Sequence, residues 1–316
     1  MCALYGFLDY GRKVPIRVLQ KLLQSLANAS EIRGTHAAGI AYNKNGAMTI
    51  YKRPKPAHKL HFKLPSGTAA VMGHTRFTTQ GSEKCNFNNH PFRGHAGTDF
   101  ALAHNGVLYN DKQLRTTENL PFTPIETDSF IMVQLLEKYG LLNFANLRNA
   151  AELVSGGFTF TLLDTHNSLY FIKGESPLHL IHFPTLGLYV YASTSEIMNQ
   201  ALEIFNFPPY EVINVDEGEL VKITADGQIF RDHFTVKDVY LPCWSRFYPK
   251  PRKSIVTTSD PDEELEDLLD LCGYFGMTED DVMYMLECGY SYDEIEEFFW
   301  NPGLYEQEVL CEGCEL

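Results

Sequence analysis

Apolar side chains recur at spacings of three and four along Pro15–Ala29, where Val18, Leu19, Leu22, Leu23 and Leu26 share one face, and this predicts an amphipathic helix. The same period returns over Asp128–Tyr139 and Leu142–Leu153, and again over Ser195–Phe205. Elsewhere the pattern shortens to runs rich in β-branched and aromatic residues. Ala3–Leu8, Ala69–Gly73, Phe158–Asp164, Ser168–Lys173, His179–Phe183, Gly187–Ala192 and Glu219–Ile223 read as strands, separated by Gly, Pro, Asn or Asp. Ala101–His104 and Val107–Tyr109 read as two more, flanking Asn105-Gly106, a dipeptide that is a strong hairpin signal. Several strands come in hairpin-like pairs, while the helices arrive in groups. The expected class is therefore α+β, with stacked layers of antiparallel sheet and helix rather than an alternating βαβ chain. No Gly-rich loop follows a strand, which argues against a nucleotide fold.

Past residue 235 the pattern changes. Pro242, Pro249, Pro251 and Pro261 punctuate residues 240–262, which Lys250, Arg252 and Lys253 make locally basic. That stretch reads as a linker between a domain over 2–239 and a small acidic helical appendage over 263–316. Thr278 with Asp281, and Ser291 with Glu294, have capping-box spacing ahead of apolar stripes (Val282, Met285 and Leu286; Ile295, Phe298 and Phe299). Residues 260–316 hold 19 Asp or Glu and no Lys or Arg, leaving 26 cationic and 21 acidic side chains ahead of them, a net of +5. Phosphate repels such a tail, so nucleic acid is not an expected partner. The tail serves either as a solvated face or as a docking surface for a basic protein partner.

With 44% hydrophobic and 21% charged residues, the composition is that of a soluble globular protein. No apolar run approaches the ~20 residues needed to cross a bilayer, and the N-terminus lacks a signal-peptide pattern. Cytoplasmic residence with no membrane contact is the expectation. The seven cysteines are odd in number and scattered, which is not a disulfide framework. Cys311 and Cys314 have knuckle spacing but no second pair, and the histidines show no metal-ligand spacing, so neither a metal nor another cofactor is expected.

Candidate chemistry begins at Cys2. Removal of Met1 would give this residue both a thiol and a free α-amine. The amine's reference pKa of ~7.7–8.0 leaves a fair fraction unprotonated near neutrality, able to act as a base. The thiol is intrinsically nucleophilic. Taken alone, a cysteine at position 2 is weak evidence.

What surrounds it changes the weight. Met1-Cys2-Ala3-Leu4-Tyr5-Gly6 is followed by Arg33-Gly34-Thr35-His36-Ala37-Ala38-Gly39-Ile40 and by Gly73-His74-Thr75-Arg76-Phe77-Thr78-Thr79-Gln80-Gly81. Asn89-His90-Pro91, Leu102-Ala103-His104-Asn105-Gly106 and Glu126-Thr127-Asp128-Ser129 come next, then Ala192-Ser193-Thr194-Ser195-Glu196 and Gly218-Glu219-Leu220. In order and spacing these fragments resemble the class II glutamine amidotransferase domain of the N-terminal-nucleophile hydrolase superfamily. The resemblance implies a four-layer αββα sandwich, two antiparallel sheets between helices. It implies Cys2 as nucleophile with its own α-amine as general base, and the Asn105 side chain with the Gly106 N–H as oxyanion donors. It gives Arg76 the α-carboxylate of glutamine and Asp128 the α-ammonium, with Arg33 and Thr79 shaping the pocket. Apart from the family, Asn105-Gly106 is equally a tight turn, Arg76 a structural ion-pair partner, and Asp128 a helix N-cap. The chain departs from the family at His36, Phe77 and Gln80, which puts the cover of the site in question.

Three functions follow. The first is a stand-alone glutamine amidohydrolase that releases ammonia and glutamate from glutamine, or a γ-glutamyl relative, through a γ-glutamyl thioester. The second is an ammonia-supplying subunit that docks a synthase on another chain. The third is a non-catalytic scaffold that retains the fold.

Overall fold

Strand β1 (Ala3–Asp9) is buried at every position, and its alternation feeds two cores: Ala3, Tyr5 and Phe7 face one, Leu4 and Leu8 the other. A strand covered on both faces reads as a continuous apolar run, as this one does. The computed structural model describes residues 2–236 and, beyond them, residues 265, 269, 272, 278–287, 290 and 295. Contacts divide the chain into two units, 1–240 and 241–316.

In the first unit β1 lies in the middle of a seven-stranded sheet. Its companions are β2 (Ala37–Lys44), β3 (Ala47–Arg53), β4 (Ala70–Arg76), β9 (His179–Phe183), β10 (Leu188–Ala192) and β11 (Glu211–Ile213). The order is β11-β9-β10-β1-β4-β2-β3. A six-stranded sheet runs β13-β12-β8-β7-β6-β5. It uses β5 (Phe92–His95), β6 (Asp99–Leu108), β7 (Gly156–Asp164), β8 (Leu169–Lys173), β12 (Glu219–Ile223) and β13 (Ile229–His233). Every pairing is antiparallel.

Three apolar layers hold these elements together. Helices α1 (Ile16–Ala29) and α5 (Ser195–Leu202) cover the outer face of the first sheet, where Leu19, Leu22, Leu26 and Ile197 meet Tyr5, Phe7 and Val190. Helices α2 (Asp111–Thr117), α3 (Phe130–Tyr139) and α4 (Phe144–Leu153) cover the second, with Leu114, Ile131 and Leu147 against Phe100, Leu102 and Phe160. Between the sheets, Leu4, Leu8 and Met72 face Ala103, Leu163 and Phe171. Each fully buried Leu or Phe contributes roughly 1.5–3 kcal/mol. The layers run helix, sheet, sheet, helix, which is the αββα sandwich the family resemblance implied.

The Asn105-Gly106 hairpin does not form. Both residues lie inside the unbroken strand β6, with Asn105 opposite Thr159 and Gly106 opposite Phe158 on β7. Glycine is needed there for close approach, because a Cβ on Gly106 would meet the Gly157 carbonyl oxygen at 1.9 Å, at a backbone φ of 137°. The chain's true Asn-Gly turn is Asn45-Gly46, at φ 52° and 78°, which joins β2 to β3.

In the second unit α6 (Glu279–Glu287) opens on the predicted capping box. The Asp281 carboxylate accepts the Thr278 N–H at 2.8 Å, and the Thr278 hydroxyl accepts the Asp281 N–H at 3.2 Å. Val282 and Met285 are buried. The proposed linker over 240–262, the Ser291–Glu294 capping box, and Cys311 and Cys314 lie outside the described residues. Among the described residues no helix is long and apolar enough to cross a membrane.

Candidate active site

The register Ala3↔Thr75 between β1 and β4 runs on to set Cys2 opposite Arg76 at one rim of the larger sheet. The Cys2 side chain is nearly enclosed, 9% exposed, with Sγ 3.4 Å from the Phe77 carbonyl oxygen. Burial pushes its thiol up; the Arg76 guanidinium draws it back down, and the Asp128 carboxylate adds to the rise. Arg33 ties this rim to the second sheet. Its Nε donates to the Cys2 carbonyl oxygen at 2.8 Å and its Nη2 to Asn105 Oδ1 at 3.4 Å. The Asn105 amide nitrogen in turn donates to Ser193 Oγ at 3.4 Å, and that hydroxyl oxygen accepts the Leu4 N–H at 2.9 Å. Cys2, Asn105 and the start of β1 are thus linked through the side chains of Arg33 and Ser193.

Arg76 and Asp128 are each 2% exposed. The Arg76 guanidinium donates to Asn89 Oδ1 at 2.7 Å, to the Gln80 and Gly81 carbonyl oxygens at 2.5 and 3.0 Å, and to Thr127 Oγ1 at 3.3 Å. The loop from Phe77 to Ser82 therefore folds its carbonyls over the cation. Asp128 is no helix cap: α3 begins at Phe130, and Asp128 Oδ2 accepts the Leu108 N–H of β6 at 2.6 Å. Its carboxylate is held by the end of β6 instead.

The departures at His36, Phe77 and Gln80 fall into place on that loop. His36 and Phe77 stack with ring centroids 4.9 Å apart, and His36 Nδ1 accepts the Thr78 N–H at 3.0 Å. Gln80 grips Arg76 through its backbone carbonyl, which any residue could supply, while its amide reaches the Asp111 carboxylate at 3.4 Å. Thr79 is exposed on the same loop and is not gathered with the other site residues. A cavity of about 760 Å³ opens beside the loop, lined by Thr78, Gln80, Gly81, Asp111, Arg115 and Glu126, and not by Cys2, Arg76 or Asp128.

Sequence reasoning assigned no side-chain role to Ser193 or Ser129, both 1% exposed, nor to the buried histidines His74, His90 and His104. The Ser-rich end of β10 and the serine after Asp128 were visible as fragments, but their partners lie 88 and 25 residues away. His74 Nε2 donates to the His104 carbonyl oxygen at 3.0 Å, and the His74 and His90 rings stand 4.2 Å apart. Burial lowers all three, His74 to about 3, and the cations Arg76 and Lys52 lower His74 and His90 further. Among the described residues no group of three or more His, Cys, Asp or Glu could hold a metal ion.

The close approach at Gly106 sets up one expected result. Gly106→Ala places a methyl group inside the Gly157 carbonyl and strains the backbone, so loss of several kcal/mol, about 3 or more, is expected. A thermal melt within 2–4 °C of the parent chain would contradict this.

No protein-family model matches the chain. Among curated proteins it is similar to the isomerising glutamine–fructose-6-phosphate aminotransferase of Staphylococcus aureus, 30% identical over 246 residues that make up 72% of this chain and 38% of that protein. It is also similar to the enzyme of that name from Bacillus cereus, 29% identical over 315 residues, 92% of this chain and 50% of that protein. The chain thus spans half or less of the length of these curated relatives. Among solved structures it resembles the glutamine phosphoribosylpyrophosphate amidotransferase of B. subtilis complexed with ADP and GMP. The TM-score is 0.58 at 20% identity, over 75% of this chain and 50% of the other, a likeness of fold.

Proposed function

Because this chain carries a class II glutamine amidotransferase domain, we propose that it performs the glutaminase half-reaction, with Cys2 as nucleophile. Once Met1 is removed, the Cys2 α-amine takes the thiol proton as the sulfur attacks the side-chain carboxamide carbon. The oxyanion of the tetrahedral intermediate is held by the Asn105 amide and the Gly106 N–H. The amine returns its proton to the departing nitrogen, the C–N bond breaks, and ammonia leaves a γ-glutamyl thioester on Cys2. Water then adds to the thioester, releasing glutamate and restoring the thiol. Arg76 holds the substrate α-carboxylate, a role its planar fork suits, and Asp128 holds the α-ammonium. Arg33 fixes the Cys2 backbone against Asn105, and Thr79 lies on the covering loop.

One observation carries this reading. Arg33 joins the Cys2 carbonyl to the Asn105 side chain, at a rim where the charges of Arg76 and Asp128 both act on the thiol. The purified chain should release ammonia from glutamine, and its intact mass should lack Met1. A retained Met1 with no ammonia release would leave only a scaffold.

A second reading is favoured by the coverage of the relatives: the sequence they carry beyond the matched part would house an acceptor for ammonia. On that reading the chain supplies ammonia to an acceptor site on other sequence. Turnover that stays near background until such a partner is added would select it.

A further inference from the structure

Ser129 occupies the N-cap position of α3, where serine ordinarily gives its side-chain oxygen to a backbone N–H and stabilises a helix by about 1 kcal/mol. Here it makes no such bond, and its backbone is already helical at φ −56° and ψ −26°. The hydroxyl is turned the other way. Ser129 Oγ lies 2.7 Å from His104 Nδ1 and 3.2 Å from Asp128 Oδ1, and the residue is 1% exposed. A hydroxyl has one proton and an ionised carboxylate can only accept, so the Ser129 proton goes to Asp128. On that assignment His104 carries its proton on Nδ1 and donates it into the Ser129 oxygen, leaving Nε2 without a hydrogen-bond partner. With the Leu108 N–H on Asp128 Oδ2 at 2.6 Å, both carboxylate oxygens are held. Both tethers end on β6, at residues 104 and 108, on either side of Asn105-Gly106.

The geometry points to Ser129 as a positioning residue. Its hydroxyl aims the Asp128 carboxylate at the α-ammonium of the substrate and, through His104, locks that carboxylate to the strand bearing the oxyanion donors. This rests on the reading of Asp128 as the ammonium acceptor. The cap forgone at α3 is the stability given up for that alignment.

The test separates aim from general loosening by using a competitor without the aimed-at group. Glutaramate has the carboxamide and the carboxylate of glutamine but no α-amine. Ser129→Ala should raise the KM for glutamine about tenfold, the worth of one buried hydrogen bond to a charged group. It should leave the inhibition constant of glutaramate within about twofold, the scatter expected of an interaction not touched. Ser129→Thr, which keeps the hydroxyl, should return the KM toward that of the parent chain. Should the added methyl group prevent folding, the Ser129→Ala comparison decides alone. Equal weakening of glutamine and glutaramate, or of neither, overturns the proposal. Asp128→Asn in parallel distinguishes the two levels. A selective loss of glutamine binding in Asp128→Asn but not in Ser129→Ala overturns the positioning role alone. No selective loss in Asp128→Asn overturns the ammonium reading and the positioning role with it.

Discussion

Cys2→Ala is expected to abolish ammonia release from glutamine, a loss on the order of a millionfold by comparison with nucleophile removal in other covalent hydrolases. A glutamine analogue bearing a diazoketone should alkylate the parent chain at Cys2 and leave the variant unlabelled, as peptide mapping by mass spectrometry would read. The substitution is well placed to separate chemistry from folding. Arg33 is held by the Cys2 backbone carbonyl, which alanine retains, and the side chain removed is small. A melting temperature near that of the parent chain is therefore part of the expected result. Burial raises the Cys2 thiol, so the thiolate is scarce at neutrality and proton removal must accompany attack. Activity should then climb on the alkaline side of neutrality, as the freed amine and the thiol lose their protons. Labelling at Cys85 or another thiol, with Cys2→Ala still active, would sink the mechanism.

Acid should unfold the domain well before its carboxylates titrate. His74, His90 and His104 are buried neutral, their pKa values pressed down by desolvation. In the unfolded chain each takes up a proton near pH 6.5. The stability these residues contribute is thus complete above pH 6.5 and is lost as the pH falls toward the folded values, about 3 for His74. Each missing proton is worth about 1.4 kcal/mol per pH unit. By pH 5 His74 alone removes about 2 kcal/mol, a sizeable share of the stability of an ordinary domain, and His90 and His104 act in the same direction. Arg76 and Lys52 stand against protonation of His74 and His90, while the His104 carbonyl favours it at His74, and the Asp128 carboxylate and the Gly157 backbone favour it at His104; burial outweighs these in all three. Urea midpoints at pH 7.5, 6 and 5 would read the effect. In His90→Phe, which keeps a ring between His74 and Phe92, the slope should flatten by about one proton. Midpoints that do not move between pH 7.5 and 5 would contradict the neutral assignment.

Where the sequence pattern and the structure agree, the elements are those with an unambiguous period. The Leu19, Leu22, Leu26 face of α1 is one, and the apolar run of β1 is another. Strand β2 escaped notice because Ala37, Ala38, Gly39 and Ala41 are small, so packing against α1 and β4 decides their conformation rather than propensity. Asn105-Gly106 was open to two readings because the same dipeptide supplies left-handed residues to a turn and a side-chain-free gap to a crowded strand. Only the neighbour on β7 distinguishes them. Family resemblance singled out Cys2, Arg33, Arg76, Asn105 and Asp128 one by one, but the contacts that tie them to one another were not legible. Ser193 and Ser129, which the resemblance left without a role, and Arg33, whose partners it did not give, act across separations of 25 to 189 residues, and no local pattern records such contacts. His36 and Phe77 looked like independent departures; stacked on one another, they are a single change in how the loop over Arg76 is braced.

The central place of β1 has a practical consequence for handling the protein. Sheet neighbours β4 and β10 grip it along both edges, so shortening the amino end by a few residues would pull out the keystone of the sheet along with Cys2. Lengthening it is no kinder on the mechanism proposed above, since a purification tag ahead of residue 1 would keep the Cys2 amine in a peptide bond. On that mechanism a preparation carrying an uncleaved leader peptide should fold normally yet turn over nothing.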